Sequence, residues 1–482
     1  MILVIAEKPS VAQSIAKVLG ATSRKDGYME GGNYIVSWCF GHLVELADAS
    51  SYDERYAKWR YDDLPIVPES WMFEVTKDKA QQFKVLSSLM KDKRVTELVC
   101  ATDAGREGEL IFRLVYDKAG CTKPFKRLWI SSLEDSAIRE GFNHLRDSKE
   151  YDRLYEAALS RSKADWIVGI NGTRLFTTLY HKKLVVGRVQ TPTLAMLVER
   201  DGKISTFQKE KYFNVHVGKG DLTADLEKVK TEEEAKKIAA ACEKKQAVVS
   251  SLKRETKIIN PPKLYDLTTL QREANRYYGF TAQQTLDLVQ TLYEKKLLTY
   301  PRTDSQFITD DMEDTARQVI SIVCRQLPLF SGVSITPDLA RVTDNSKVTD
   351  HHAILPTVQL EKQDVSALPQ SEQKILNLVG MRLLCATGEK HTYAETQISL
   401  SCERYEFKTK GKTVVQNGWK AIEELFKASL KTKEKDDPMK SLPEVHEGDV
   451  LDGVSASVTE HFTTPPKQYT EDTLLSAMET AG

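Results

Sequence analysis

The chain has 482 residues, enough for several domains, and its 41% hydrophobic and 28% charged residues are the balance of a soluble globular protein. No uncharged apolar run reaches the roughly 18 residues a membrane helix needs, and the N-terminus enters a strand-like run directly, so neither a membrane span nor a secretory signal is indicated. A net charge of −1 excludes a uniformly basic nucleic-acid wrapper but not a basic groove offset by acidic outer faces; seven cysteines without a Cys-x-x-Cys pair exclude a zinc ribbon and a disulfide framework, and fit a reducing cytoplasm.

Met1 to Ala6 is a short apolar run that predicts a strand, ending in Glu7-Lys8-Pro9-Ser10. Ser10 is placed to cap a helix bearing Val11, Ile15, Val18 and Leu19 on one face, with Gly20 to end it. Tyr34 to Leu43 predicts another strand; His42 after Gly41 could approach the first strand's end, although a lone histidine is more often structural. Trp59, Trp71 and Asp62-Asp63-Leu64-Pro65 read as loop and packing residues.

Leu98 to Ala101 predicts a buried parallel strand, followed by Thr102-Asp103-Ala104-Gly105-Arg106-Glu107-Gly108-Glu109 and then apolar residues at helical spacing. Glu7 and Asp103 therefore end two strands, where open α/β sheets place ligands. Carboxylates crowded there either cap a helix in solvent or surround a hard cation such as Mg²⁺. Lys8 beside them is what a bound phosphate would require. Arg127 to Ile130 predicts one more strand, closing a first domain near residue 145.

Residues 151 to 176 are helical in period, and carry Arg161, Lys163, Asn171 and Arg174. Alternation at 212–226, 248–259 and 396–407 predicts strands, while roughly 264–392 is helical, so the economical arrangement is one β domain with a helical domain inserted into it. Within the insert, Thr281 and Gln284 form a capping box, and that helix runs out near Lys296. Tyr300 precedes Pro301, which favours extended backbone and points Arg302 to the same side.

Ile5 to Ser10, Ala101 to Glu109 and Leu297-Leu298-Thr299-Tyr300-Pro301-Arg302-Thr303-Asp304-Ser305 together resemble the motifs of type IA DNA topoisomerases, in the bacterial topoisomerase III branch. The resemblance spans essentially the whole chain, though not the family's full length. It implies a multidomain α/β plus α plus β architecture arranged as a toroid. The divisions are a Toprim domain at 1–150, the first part of a helical DNA-gripping domain at 151–210 and a β domain in two parts, 211–263 and 394–462. An inserted helical domain with the tyrosine occupies 264–393, and 463–482 begins the rest of the gripping domain. By this resemblance Tyr300 is the nucleophile, Arg302 positions the scissile phosphate, and Lys8 and His351 stabilise its charge. His351 comes from Asp350-His351-His352-Ala353-Ile354-Leu355-Pro356-Thr357, with His352 as its support. Mg²⁺ ligation carries over to Glu7, Asp103 and Glu107. Gly105 stands where the family's Asp-x-Asp-x-Glu has its middle Asp, which weakens metal binding or hands one position to water. Arg161, Arg174, Arg188, Gln190 and His352 are implied DNA contacts, Arg188 and Gln190 within Gly187-Arg188-Val189-Gln190-Thr191-Pro192.

The implied reaction is transesterification of single-stranded DNA through a 5′-phosphotyrosine, passage of another strand or duplex, and religation, with Glu7 as general acid. Relaxation of negative supercoils and decatenation follow from it. No Gly-x-x-x-x-Gly-Lys-Ser/Thr loop is present and no nucleotide cofactor is implied. The partners expected are DNA alone, for a cytoplasmic monomer without a membrane. A Toprim-containing primase or nuclease would explain the carboxylates but not the Tyr-Pro-Arg string. The other alternative is a C-terminally truncated, cleavage-impaired single-strand binder, since the chain stops inside a helical segment beginning near Tyr469.

Overall fold

The computed structural model describes residues 1–430 and 442–481; residues 431–441 of the expected second β segment and Gly482 lie outside them. The first sheet has seven strands, and its centre is β1 (Ile2–Ala6) between β2 (Tyr34–Trp38) and β3 (Glu97–Ala101), all parallel. These strands are almost wholly buried because helices cover both faces: α1 (Pro9–Leu19) on one and α2 (Arg106–Lys118) on the other. Ala6 pairs with Ala101, so Glu7 and the loop after β3 emerge at one rim.

Two local expectations are corrected. Ser10 is not the cap of α1. Pro9 occupies the first helical turn and forces Lys8 into extended backbone, so Lys8 takes the capping position without a side-chain bond, and the Ser10 hydroxyl donates instead to Glu294 at 3.0 Å. The strand expected over Arg127–Ile130 is β4 (Phe125–Arg127), which stops where its side chains turn to other partners.

A long helix, α3 (Asp152–Tyr180), packs on α2 and leads to α4 (Gln190–Ser205). A second seven-stranded sheet is assembled from both flanks of the insert: β5 (Lys211–Lys219), β6 (Leu222–Val229) and β7 (Ala247–Ile259) precede it, and β8 (His391–Cys402), β9 (Tyr405–Gln416), the two-residue strand Val450–Leu451 and β10 (Ser455–Phe462) follow it. β7 and β8 pair antiparallel from Ala247 with Cys402 to Ile259 with His391, so the insert leaves and returns at adjacent strand ends.

The insert has its own apolar core, built from α5 (Leu267–Tyr278), α6 (Ala282–Glu294), α7 (Glu313–Gln326) and α8 (Gln370–Ala386). The Thr281 and Gln284 capping box forms with both bonds in place, and the chain turns at Lys296, φ 63°, into the Tyr300 segment. The last helix, α9 (Glu471–Glu479), lies against α5. No helix among the described residues is long and apolar enough to cross a membrane.

Candidate active site

The rim of the first sheet and the Tyr300 segment face each other across a cleft of about 530 Å³, lined among others by Glu7, His42, Glu107, Tyr300, Arg302 and His351. Two glycines shape its floor. Gly41, φ 70°, turns the chain after β2 so that His42 overhangs the rim. Gly108 packs on Asp103, where a Cβ would lie 2.0 Å from the Asp103 carbonyl oxygen, so α2 starts directly against the acidic loop.

Tyr300 is 5% exposed. Its backbone N–H donates to the Ser131 carbonyl at 3.0 Å, and its hydroxyl reaches Asp103 Oδ2 at 3.4 Å. His351 lies 4.4 Å from its ring and Tyr293 meets it edge-on at 5.5 Å. Burial, and then the Asp103 charge, push the phenol above its ordinary range, opposed by Arg302. Arg302 does lie on the same side, with its guanidinium 3.8 Å from Asp103 Oδ2 and half of its side chain open to solvent.

The carboxylates divide into two environments. Glu7 accepts from the Asp103 backbone N–H at 3.3 Å, and burial followed by the Asp103 charge raises it to about 7. Burial also raises Asp103, against the pull of Lys8 and Arg302. Glu107 is more than half exposed and lies 3.5 Å from His42 Nε2, whose hydrogen bond holds it below the usual range. The histidine weighed as structural thus sits at the rim. Lys8 stands beside the pair but reaches Glu294 of the insert at 3.4 Å.

The donors present are the hard oxygens that Mg²⁺ prefers, and it often needs only one or two carboxylates besides phosphate and water. Two buried carboxyls that resist ionisation mark a place short of positive charge, which such an ion would supply. The three acids do not form a ready cage: among the described residues no three His, Cys, Asp or Glu side chains gather for a metal, because Glu107 turns to His42.

His351 is buried between Ser131 Oγ, 2.8 Å from Nδ1, and the Ala104 carbonyl at Nε2. Nε2 therefore carries the proton and Nδ1 accepts from the serine, an assignment made from the bonding pattern. Burial lowers its pKa to about 4, so the ring is neutral. His352 bonds the Ala353 carbonyl at 2.8 Å and is likewise lowered by burial.

The expected DNA contacts separate. Arg161, Arg188 and Gln190 are exposed, with Arg188 2.9 Å and Arg161 3.9 Å from Asp165. Arg174 is corrected: it is 3% exposed, donates to the Tyr56 carbonyl at 2.7 Å and lies over Trp59, so it fastens a loop to α3 rather than meeting a phosphate.

Residues 149–482 match the DNA topoisomerase family and residues 2–133 match the Toprim domain. The chain belongs to the type IA DNA topoisomerases, in the bacterial topoisomerase III branch. It is 41% identical to a DNA topoisomerase 3 of Bacillus subtilis over 490 aligned residues and 40% identical to one of Bacillus licheniformis over 499, in each case covering 99% of this chain and 67% of the relative. Its fold is similar to that of full-length topoisomerase I from Thermotoga maritima, with a TM-score of 0.75 at 24% identity, covering all of this chain and 75% of that one. This topoisomerase, an isomerase of DNA, presents no feature that favours the binding-only alternative. The sequence reading missed Arg127, Trp129 and Ser131 as neighbours of the cleft; the signal available was a charged residue, Arg127, directly before the apolar residues Leu128, Trp129 and Ile130.

Proposed function

We propose that this topoisomerase cleaves single-stranded DNA by attack of the Tyr300 hydroxyl on a phosphodiester, with Mg²⁺ and without ATP. The observation that carries this reading is the approach of the Tyr300 hydroxyl to Asp103, with Glu7 adjoining, between segments about 200 residues apart in sequence.

The Tyr300 proton passes to the Asp103 carboxylate, the phenolic oxygen bonds to phosphorus, and the P–O3′ bond breaks. Glu7 gives its proton to the departing 3′ oxygen. One proton enters the Glu7 and Asp103 pair and one leaves it, so the pair is unchanged in charge and religation is the same path reversed. A phenol this reluctant to ionise needs the guanidinium of Arg302, which lowers the cost of negative charge on the phenolic oxygen and on the phosphoryl oxygens. Lys8 adds a second cation once it leaves Glu294. Asp103 and Glu107, with Glu7 when deprotonated, would hold Mg²⁺, which supplies positive charge for the phosphate oxygens. Because the ester linkage conserves the energy of the broken bond, no nucleotide is consumed. Passage of a second strand requires the insert to part from the rim while Tyr300 keeps the 5′ end. Seven free thiols support a reducing compartment, the cytoplasm.

The test is incubation with Mg²⁺ and a single-stranded oligonucleotide labelled at its 3′ end. The expected result is a covalent adduct that retains the label and is absent in Tyr300→Phe. An adduct of equal yield in that variant would refute the assignment.

A further inference from the structure

Arg127, the last residue of β4, and Trp129 and Ser131 in the segment just beyond it touch both halves of the cleft. Arg127, fully buried, donates to the carbonyls of Thr102 and Asp103, both at 2.7 Å, and to that of Cys100 at 3.0 Å, which fixes the acidic loop to the strand end. Its guanidinium lies 5.1 Å from the Trp129 ring. Trp129 in turn runs parallel to His351 with centroids 6.0 Å apart, and its indole N–H donates to the Asp350 carbonyl at 3.1 Å. Ser131 meets the insert twice: its hydroxyl at His351 Nδ1, 2.8 Å, and its carbonyl at the Tyr300 N–H, 3.0 Å. His351 then closes the circuit through its bond to the Ala104 carbonyl.

We propose that Trp129 and Ser131 are positioning residues: they form a seat for His351, and only when His351 occupies it is Tyr300 held against Asp103. The inference rests on the reading of Tyr300 as nucleophile and adds what brings it into register. The chemistry of the seat is particular. An indole face takes a flat neutral ring, a hydroxyl takes its Nδ1, and the next carbonyl takes the tyrosine's backbone, so the same short segment reads the side chain of one motif and the main chain of the other. His351 on this account is committed to protein groups in the closed form, which differs from the phosphate-donor role that resemblance implies. Since Arg127 ties the seat to the acidic loop, the distance from Tyr300 to Asp103 is set by the end of β4 and the segment that follows it.

Removing a group that fixes register, without touching the reacting atoms, lowers the rate of chemistry while leaving binding intact; a displacement of about 1 Å can cost on the order of 100-fold. Single-turnover cleavage of a single-stranded oligonucleotide with Mg²⁺ is therefore expected to slow about tenfold in Ser131→Ala and about 100-fold in Trp129→Ala, with oligonucleotide affinity unchanged within about twofold. Trp129→Phe, which keeps the ring contact and loses only the N–H, is expected to recover most of the loss. A donor and acceptor pair placed by unnatural amino acids on the exposed residues Lys93 and Lys362 reads closure itself. In a Tyr300→Phe background, where no cleavage occurs, Trp129→Ala is expected to lower energy transfer while Tyr300→Phe alone does not. Failure of the Tyr300 adduct test would remove the chemical reading but leave this closure readout in force. Wild-type cleavage rates in both alanine variants with unaltered energy transfer would overturn the seat, as would equal losses in Trp129→Phe and Trp129→Ala.

Discussion

Glu7 and Arg174 show how the same residue types acquire opposite uses from their surroundings. Glu7 is raised to about 7 from an ordinary 4.5, so between those values the folded protein keeps a proton that the unfolded chain has released. Its contribution to stability is full below about pH 4.5 and is lost as pH rises through 7, by an amount on the order of 3 kcal/mol. In EDTA the melting temperature is expected to fall from pH 5 to pH 7.5 more steeply in wild type than in Glu7→Gln, and Mg²⁺ is expected to restore more at pH 8 than at pH 5. His351, lowered to about 4, carries the opposite sign, its contribution fading as pH drops below 6.5. The difference between wild type and variant is for that reason the informative curve, and parallel curves would contradict the assignment. Arg174→Ala is expected to cost about 1–3 kcal/mol in denaturant melts, because the Tyr56 carbonyl loses its charged donor, with no change in the salt dependence of DNA binding. Arg188→Ala is expected to do the reverse, lowering the slope of log affinity against log salt by about 0.7 at little cost in stability.

Among the elements, β4 and α2 are joined by an ion pair with no solvent contact: Arg127 Nε lies 3.0 Å from Glu109 Oε2, and Arg113 holds the other carboxylate oxygen at 2.8 Å. Taking away one partner strands a buried charge, so Glu109→Ala is expected to destabilise by about 3–5 kcal/mol, whereas apolar replacement of both is expected to cost less than the sum of the two single losses, although it also frees the carbonyls that Arg127 holds. A double-mutant cycle of urea midpoints checks this; additive losses would mean the pair is not coupled. At the other end of the insert, Asp472 of α9 bridges Arg272 at 3.0 Å and Arg276 at 2.8 Å of α5. These pairings also mark the limit of the sequence. The strands, the long helix and the capping box were legible because each follows a local period or a local bond. Ser10 was misjudged because Pro9 decides the start of α1, a backbone effect that outweighs a favourable cap residue. Arg174, His42 and Arg127 could not be sorted from sequence, since what decides them is a partner 118, 65 or 18 to 25 residues away, such as Tyr56, Glu107 or Glu109 and Thr102.

For the molecule as a whole, a net charge of −1 conceals a division of labour: acids gather at the rim of the first sheet and arginines stand along α3 and its neighbours. The insert is anchored covalently to the second sheet alone, and its other attachments are contacts that can part, among them Lys296 with Asp135 at 2.6 Å, Lys8 and Ser10 with Glu294, Tyr300 and Arg302 with Asp103, the His351 seat, and α9. Chemistry at the interface of separable bodies is what strand passage demands; the motifs that carry it and their meeting followed from the resemblance, while the residues that hold them together, such as Ser131 and Trp129, did not. The most direct measurement is peptide mapping of the adduct trapped with a single-stranded oligonucleotide and Mg²⁺. The account predicts one modified peptide, carrying nucleotide through a 5′ phosphate on Tyr300; nucleotide on any other residue, or a 3′ linkage, would contradict it.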